Sequence, residues 1–227
     1  MHRPLNFVMI SPHFPTNFET FAVRLYENGF NTLGIADVPY ESLSEGLRRS
    51  LTEYYRVDNM EDYEQVYRAV GYFAHKYGRI DRIESHNEYW LELDAQLRTD
   101  FNVFGYKSED MLAIKTKAQM KEVFRQAGLP VAQGRVFHHD ADACELAQQL
   151  KFPVIIKPNS GVGASDTYKI RSEAELEDFF GYQNAHVEYI MEEFIEGDIV
   201  TFDGLADHDG NIVFHAGLEY SEAVLDT

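Results

Sequence analysis

The chain has 227 residues, with 20 Lys+Arg against 38 Asp+Glu and a formal net charge of −18. A field of that sign repels polyanions, which argues against DNA, RNA and anionic membranes as partners. Hydrophobic residues make up 44% and charged residues 26%, an ordinary globular composition, and no run of eighteen apolar residues is present to cross a bilayer.

Asn6–Ile10 (NFVMI) reads as a buried strand. It is too short for the apolar region of a signal peptide, and Pro12, His13 and Pro15 follow directly, so a cytoplasmic location is expected. Phe18, Phe21, Ala22 and Leu25 recur at helical spacing, with Gly29 as the stop. Residues 32–36 form a second strand ending at Asp37, and residues 54–57 a short third one. Tyr63, Val66, Tyr67, Val70, Phe73, Ala74 and Tyr77 then mark one face of a long helix ending at Gly78. Residues 80–84 make a fourth strand, and residues 87–98 a helix. Strands alternating with helices predict a parallel sheet covered on both faces, a small doubly wound domain.

Ligands of such sheets gather at the carboxyl ends of the strands. Here those ends carry Ser11-Pro12-His13, Asp37 and Glu84-Ser85-His86. The sequence after the first strand, SPHFPTN, lacks the glycine fingerprint of a dinucleotide site, which disfavours a nicotinamide-dependent enzyme.

The pattern changes near residue 105. Thr116 with Gln119 predicts a capping box. Behind it Met120, Val123, Phe124 and Ala127 form a helix face that stops at Gly128-Leu129-Pro130. Residues 131–136 are extended and residues 141–150 helical. Cys144, the single cysteine, excludes an intrachain disulfide and is expected as a small apolar core residue of that helix. Residues 152–157 (FPVIIK) form a buried strand, and a loop over 158–165 leads into another strand at 166–170. Ser172 with Glu175 opens a third helix whose apolar side is Leu176, Phe179 and Phe180. From Val187 onward three strands are expected, the last two joined by a hairpin turn at 207–210 (DHDG). His138-His139-Asp140 reads as a loop, because adjacent histidines on a strand face opposite ways and no third metal ligand stands at a recognisable spacing.

The chemistry concentrates at VIIKPNSGVGAS, residues 154–165. A buried strand delivers Lys157 at its end, and a loop of small residues then allows backbone N–H groups to approach phosphate oxygens. It is not a Walker A loop, since no Gly-Lys-Ser/Thr follows and a strand comes next. Alone, such a loop is ordinary turn chemistry. Two further features accompany it. Lys117 stands forty residues upstream, at the start of a helix ending in AGLP, and YIMEEFIEGD (189–198) is a strand running into an acidic, glycine-bearing turn.

In this order these motifs resemble the ATP-grasp superfamily, over residues 105–227, with similarity to carbamoyl-phosphate-synthase-like and D-alanine-ligase-like carboxylate ligases. The resemblance implies an α/β chain: a small doubly wound parallel sheet of the pre-ATP-grasp kind (1–108), an α+β ATP-grasp small lid subdomain (109–186), and the start of a larger second subdomain (187–227). It implies that Lys117 contacts phosphate oxygens, with Lys115 as the weaker alternative register, and that Lys157 reaches the α- and β-phosphates near adenine. Asn159, Ser160, Gly161, Val162, Gly163, Ala164 and Ser165 match the flexible lid over the β- and γ-phosphates. Glu192 would accept from the adenine amino group, Glu193 and Ile195, flanking Phe194, would read the adenine edge through their backbones, and Asp198 would bind ribose hydroxyls. The implied reaction uses ATP and Mg2+ to convert a carboxylate into an acylphosphate, which an amine or similar nucleophile then attacks. His13, Glu84 and His86 are the candidate wall for the carboxylate, from strand-end position alone, and a homodimer is compatible with the family.

One departure accompanies the resemblance. The family's magnesium ligands, an acidic residue and a later Glu-x-Asn, lie well beyond the adenine strand, and no Glu-x-Asn follows Glu192 here; Glu219, Glu222 and Asp226 come too early in the pattern to serve. The expectation is a chain that is inactive alone, either completed by a partner or, as favoured here, part of a longer protein. A non-catalytic nucleotide-binding module of the same fold is the alternative.

Overall fold

A computed structural model describes residues 3–161 and 166–220. By internal contacts the chain divides into two compact units, Met1–Leu112 and Ala113–Thr227. No helix among the described residues is long and apolar enough to cross a membrane.

The first unit is built on four parallel strands, β1 (Asn6–Ile10), β2 (Asn31–Ala36), β3 (Glu53–Arg56) and β4 (Arg82–Glu84), in the order β3-β2-β1-β4. Alternation along β1 shows why both faces need covering. Val8 and Ile10 pack with Leu33, Ile35 and Ile83 against Val66, Val70 and Phe73, whereas Met9 joins Ala22, Leu43 and Leu47 on the other side. The helices are α1 (Glu19–Glu27), α2 (Glu45–Ser50), α3 (Tyr63–Tyr77) and α4 (Leu91–Asp100). Asp62 caps α3 by accepting from the Glu64 amide, and Gly78 ends it at φ +88°. The two-turn α2, capped by Ser44 accepting from the Leu47 amide, has too few apolar positions to show a period in the sequence. The sequence also placed the fourth strand and the last helix a little early. Residues 80 and 81 precede β4, and Glu88–Trp90 is a 3-10 turn ahead of α4.

A short helix, α5 (Met111–Lys115), runs across the division, and α6 (Lys117–Gln126), α7 (Asp140–Leu150) and α8 (Glu173–Tyr182) belong to the second unit. Its main sheet has the order β5-β8-β6-β7, all pairs antiparallel, from β5 (Gly134–Phe137), β6 (Val154–Pro158), β7 (Tyr168–Ile170) and β8 (Tyr189–Glu193). β8, expected to open the next subdomain, is an inner strand of this sheet. Its run of apolar residues suits a strand paired on both edges. Val154 and Ile156 of β6 and Tyr189 and Met191 of β8 pack under α7 and α8 with Leu146, Leu176 and Phe179. Period-two alternation therefore turns Ile155, Lys157, Ile190 and Glu192 to the opposite face, and the register pairs Ile155 with Glu192 and Lys157 with Ile190.

Cys144 is exposed on α7, not in the core as the sequence suggested. Ala143, Leu146 and Ala147 take the buried stripe of that helix, and position 144 falls outside it. The remaining strands, β9 (Val200–Ala206) and β10 (Ile212–Glu219), pair with each other as the expected hairpin. The Asp207 carboxylate holds its turn by accepting from the amides of Asp209 and Asn211, both at 2.9 Å.

Candidate nucleotide site

Asn159 joins the elements that carry Lys117 and Lys157. Asn159 is 4% exposed. Its carbonyl accepts from the Lys117 amide at 2.8 Å, and its side-chain Oδ1 accepts from the Ala118 amide at 3.0 Å. Two donors at the open N-terminus of α6 are thus satisfied from the end of β6. This corrects the capping box expected at Thr116 and Gln119: Thr116 makes no side-chain capping bond, and Asn159, 41 positions from the Ala118 amide, supplies the cap. Asn159 is held in turn by β8's approach, its amide donating to Glu188 O at 2.8 Å and its Nδ2 donating to the Glu188 carboxylate. A bridge between Thr116 and Ser160 continues the contact.

From this anchor the Lys117 side chain reaches the loop, its Nζ donating to Gly161 O at 3.2 Å. Gly161 has φ +114°, a conformation that favours glycine. Val162, Gly163, Ala164 and Ser165, the rest of the expected lid, lie outside the described residues.

On the same sheet face, Lys157 Nζ lies 2.7 Å from Glu192 Oε2. The other carboxylate oxygen, Oε1, lies 2.9 Å from Lys121 Nζ. Lys121 also donates to Ala132 O at 3.0 Å. Glu192 is only 5% exposed, and two cations offset the cost of burying its charge. The Lys121 contact at Oε1 is an ion pair. Among the described residues Oε1 has no hydrogen-bond donor, and it is closed to solvent.

Beyond Glu192 the strand end opens. The Glu193 amide donates to Gln133 O at 2.9 Å, so that donor is committed to the fold. Lys169 Nζ sits 3.5 Å from the centroid of the Phe194 ring, a cation–π contact. Ile195 is 62% exposed, and Asp198 is exposed. Lys115 ends α5, one residue before the α6 cap.

The three remaining candidates stand in the first unit, on the ends of the neighbouring strands β1 and β4. His13 follows β1, where Ser11 has φ +52°, and His86 follows β4 with φ +54°. His13 Nδ1 and His86 Nε2 are both buried without a hydrogen-bond partner among the described residues. Burial lowers the pKa of each imidazole, against an opposing pull from Asp37 at His13. The Phe21 ring stacks on His86 at 4.2 Å. Glu84 pairs with Arg98 at 2.7 Å, yet burial still raises its carboxyl pKa.

Sequence reasoning missed Asn159 as a cap, and it missed Lys121 and Lys169 altogether. Lys121 stands one helical turn after Lys117, and that i,i+4 spacing was the available signal. The contacts of Asn159 depend on tertiary placement and left no local mark.

Comparison with known proteins bears on the family of the second unit. Residues 116–225 match the family model of the carbamoyl-phosphate synthase L chain, ATP binding domain. The L-arginine-specific L-amino acid ligase of Bacillus subtilis is 29% identical over 157 residues, covering 66% of this chain and 38% of that protein. An L-amino acid ligase structure from Bacillus licheniformis superposes with a TM-score of 0.68 at 17% identity, over 98% of this chain and 52% of that one. The biotin carboxylase domain of Hydrogenobacter thermophilus 2-oxoglutarate carboxylase, a dimer solved with MgADP, ADP and bicarbonate, gives 0.72 at 21% identity, over 94% and 49%. The chain thus spans about half or less of the length of these relatives. Residues 116–225 thus resemble the ATP-binding domain of the carbamoyl-phosphate synthase L chain, a likeness to ATP-grasp ligases in sequence and fold.

Proposed function

We propose that this chain is the ATP-binding part of a carboxylate ligase that forms C–N bonds and releases ADP. The observation that carries the reading is the convergence of Lys117, Lys157, Asn159 and buried Glu192 on one face and edge of the second unit's sheet. A nucleotide fits these residues. The Glu192 carboxylate suits the amino group of adenine as an acceptor, and two ammonium groups near the loop suit phosphate oxygens.

In this assignment Lys117 and Lys157 neutralise phosphate charge, and Ser160 and Gly161 with Val162, Gly163, Ala164 and Ser165 cover the phosphates. Glu192 accepts from the base. The Glu193 amide is already used, so reading the base edge falls to its carbonyl and to Ile195; Asp198 takes ribose hydroxyls. ATP supplies the phosphoryl group that activates the carboxylate. The protein's work is positioning and charge neutralisation. Among the described residues no group of three or more His, Cys, Asp or Glu is arranged to hold a metal ion. His13, Glu84 and His86 are the proposed wall for the carboxylate substrate, with an amine as the second substrate. A homodimer is proposed from the likeness to the dimeric Hydrogenobacter domain.

Calorimetric titration of the chain with ATP tests the reading. Binding is expected, weakened about tenfold or more by Lys157→Ala or Lys117→Ala, the cost of losing a charge-assisted contact. Equal affinity in the wild type and both variants contradicts it.

A further inference from the structure

We infer that Lys121 is a positioning residue for base recognition: it holds the Glu192 carboxylate so that Lys157 is free to leave that carboxylate for a phosphate. The inference rests on the nucleotide-site reading above and extends it to a residue that reading does not use.

Glu192 carries one negative charge and is gripped by two lysines, at 2.7 Å from Lys157 and 2.9 Å from Lys121. One cation neutralises the carboxylate, so the other is available to a second anion. The structure distinguishes the two. Lys121 has a second tie, to Ala132 O, and its side chain is 13% exposed. Among the described residues Lys157 makes its polar contact with Glu192 alone, and its side chain is 25% exposed. Lys157 is therefore the one that departs, and Lys121 the one that stays.

The consequence concerns the base. A buried carboxylate stripped of both cations is costly. Without Lys121, Lys157 must remain on Glu192, and phosphate binding loses a charge. With Lys121 in place, the Glu192 carboxylate stays fixed, as an acceptor. Adenine presents an amino donor where guanine presents a carbonyl oxygen, so a fixed acceptor there favours ATP over GTP. In the present structure the Glu192–Lys157 pair is a closed latch, and nucleotide entry opens it.

The test uses ATP, GTP and inorganic tripolyphosphate as probes in calorimetry, with thermal melts and circular dichroism to confirm folding. Lys121→Met is expected to lose about tenfold or more in affinity for ATP and for tripolyphosphate. Adding Glu192→Gln to Lys121→Met should restore tripolyphosphate binding by releasing Lys157, while the preference for ATP over GTP disappears. Lys121→Arg should keep the wild-type pattern. A merely structural lysine would weaken all three probes together, with no rescue by Glu192→Gln. The inference fails if Lys121→Met binds ATP as the wild type does, or if the double variant leaves tripolyphosphate binding weak. Should Lys121→Met not fold, Glu192→Gln alone decides: tripolyphosphate affinity at or above wild type with lost base preference supports the latch, and weaker tripolyphosphate binding overturns it. A wild-type chain that binds no ATP defeats the site reading itself, a different outcome from either.

Discussion

Replacing Asn159 by alanine should unfasten the start of α6 while leaving both units folded. The side chain makes two bonds, Oδ1 accepting from Ala118 N at 3.0 Å and Nδ2 donating to Glu188. The backbone bonds of residue 159 to Lys117 and Glu188 survive the substitution. Uncapping a helix N-terminus costs about 1 kcal/mol. The amide–carboxylate bond contributes about 1 to 2 kcal/mol, at the low end for a charged partner because Glu188 is exposed. The sum is roughly 2 to 3 kcal/mol, which is about 30- to 150-fold in a local opening equilibrium. Hydrogen exchange followed by mass spectrometry reads this directly. Peptides from α6 should exchange faster by about that factor, while α3 peptides in the first unit keep wild-type rates. Asn159→Asp, which keeps the acceptor for Ala118 but sets a second carboxylate beside Glu188, should fall between. Unchanged exchange in α6 for Asn159→Ala would show that the helix start is held by something other than this residue, and the account of how Lys117 is placed would fail.

Three further outcomes follow from other parts of the molecule. Burial pushes the Asp94 carboxyl up to about 7, against Ser85's two hydrogen bonds and the Arg98 charge. An unfolded aspartate titrates near 3.8, so between about pH 4 and 7 the folded chain holds a proton that the unfolded chain has lost. Stability should therefore fall as pH rises through that window. Asp94→Asn should flatten this slope in urea melts and leave the variant more stable than wild type at pH 8; an unaltered slope contradicts the assignment. Gly134→Ala would place a Cβ 2.2 Å from Met191 O at φ +151°, against the backbone of the inner strand β8. It should cost roughly 2 to 4 kcal/mol or prevent folding of the second unit, and a thermal midpoint equal to wild type would be inconsistent with the β5–β8 register. Exposed Cys144 should react with a thiol reagent in native buffer to one equivalent per chain; reaction only after denaturation would return it to the core.

Much of the fold was legible because period and punctuation agree in this sequence. β1, α3 and the hairpin turn at Asp207 carry strong local signals: an apolar run, seven apolar positions at helical spacing ended by glycine, and a self-bonding aspartate. Alternation also explains what no motif stated, that Lys157 and Glu192 share a sheet face with Ile155 and Ile190. What escaped reading was set by distant partners. Thr116 and Gln119 look like a cap, yet the hydrogen bonds go to Asn159, because β6 ends beside the helix start. Lys121 resembles any solvated helix lysine until β8 brings Glu192 beneath it. Cys144 was misjudged because a small residue type suits either side of a helix, and the neighbours Ala143 and Ala147 settle which side is buried. In the first unit, the strand-end rule picked out His13 and His86 as positions; the stacked Phe21 and the two unpartnered imidazole nitrogens came only with coordinates.

The central claim is that two ammonium groups forty residues apart serve one triphosphate, and trace acetylation of lysines with and without saturating ATP addresses it most directly. Nucleotide should slow the labelling of Lys117 and Lys157 together, while exposed Lys151 reacts at the same rate in both samples. Labelling of Lys117 and Lys157 that ATP leaves unchanged would contradict the account.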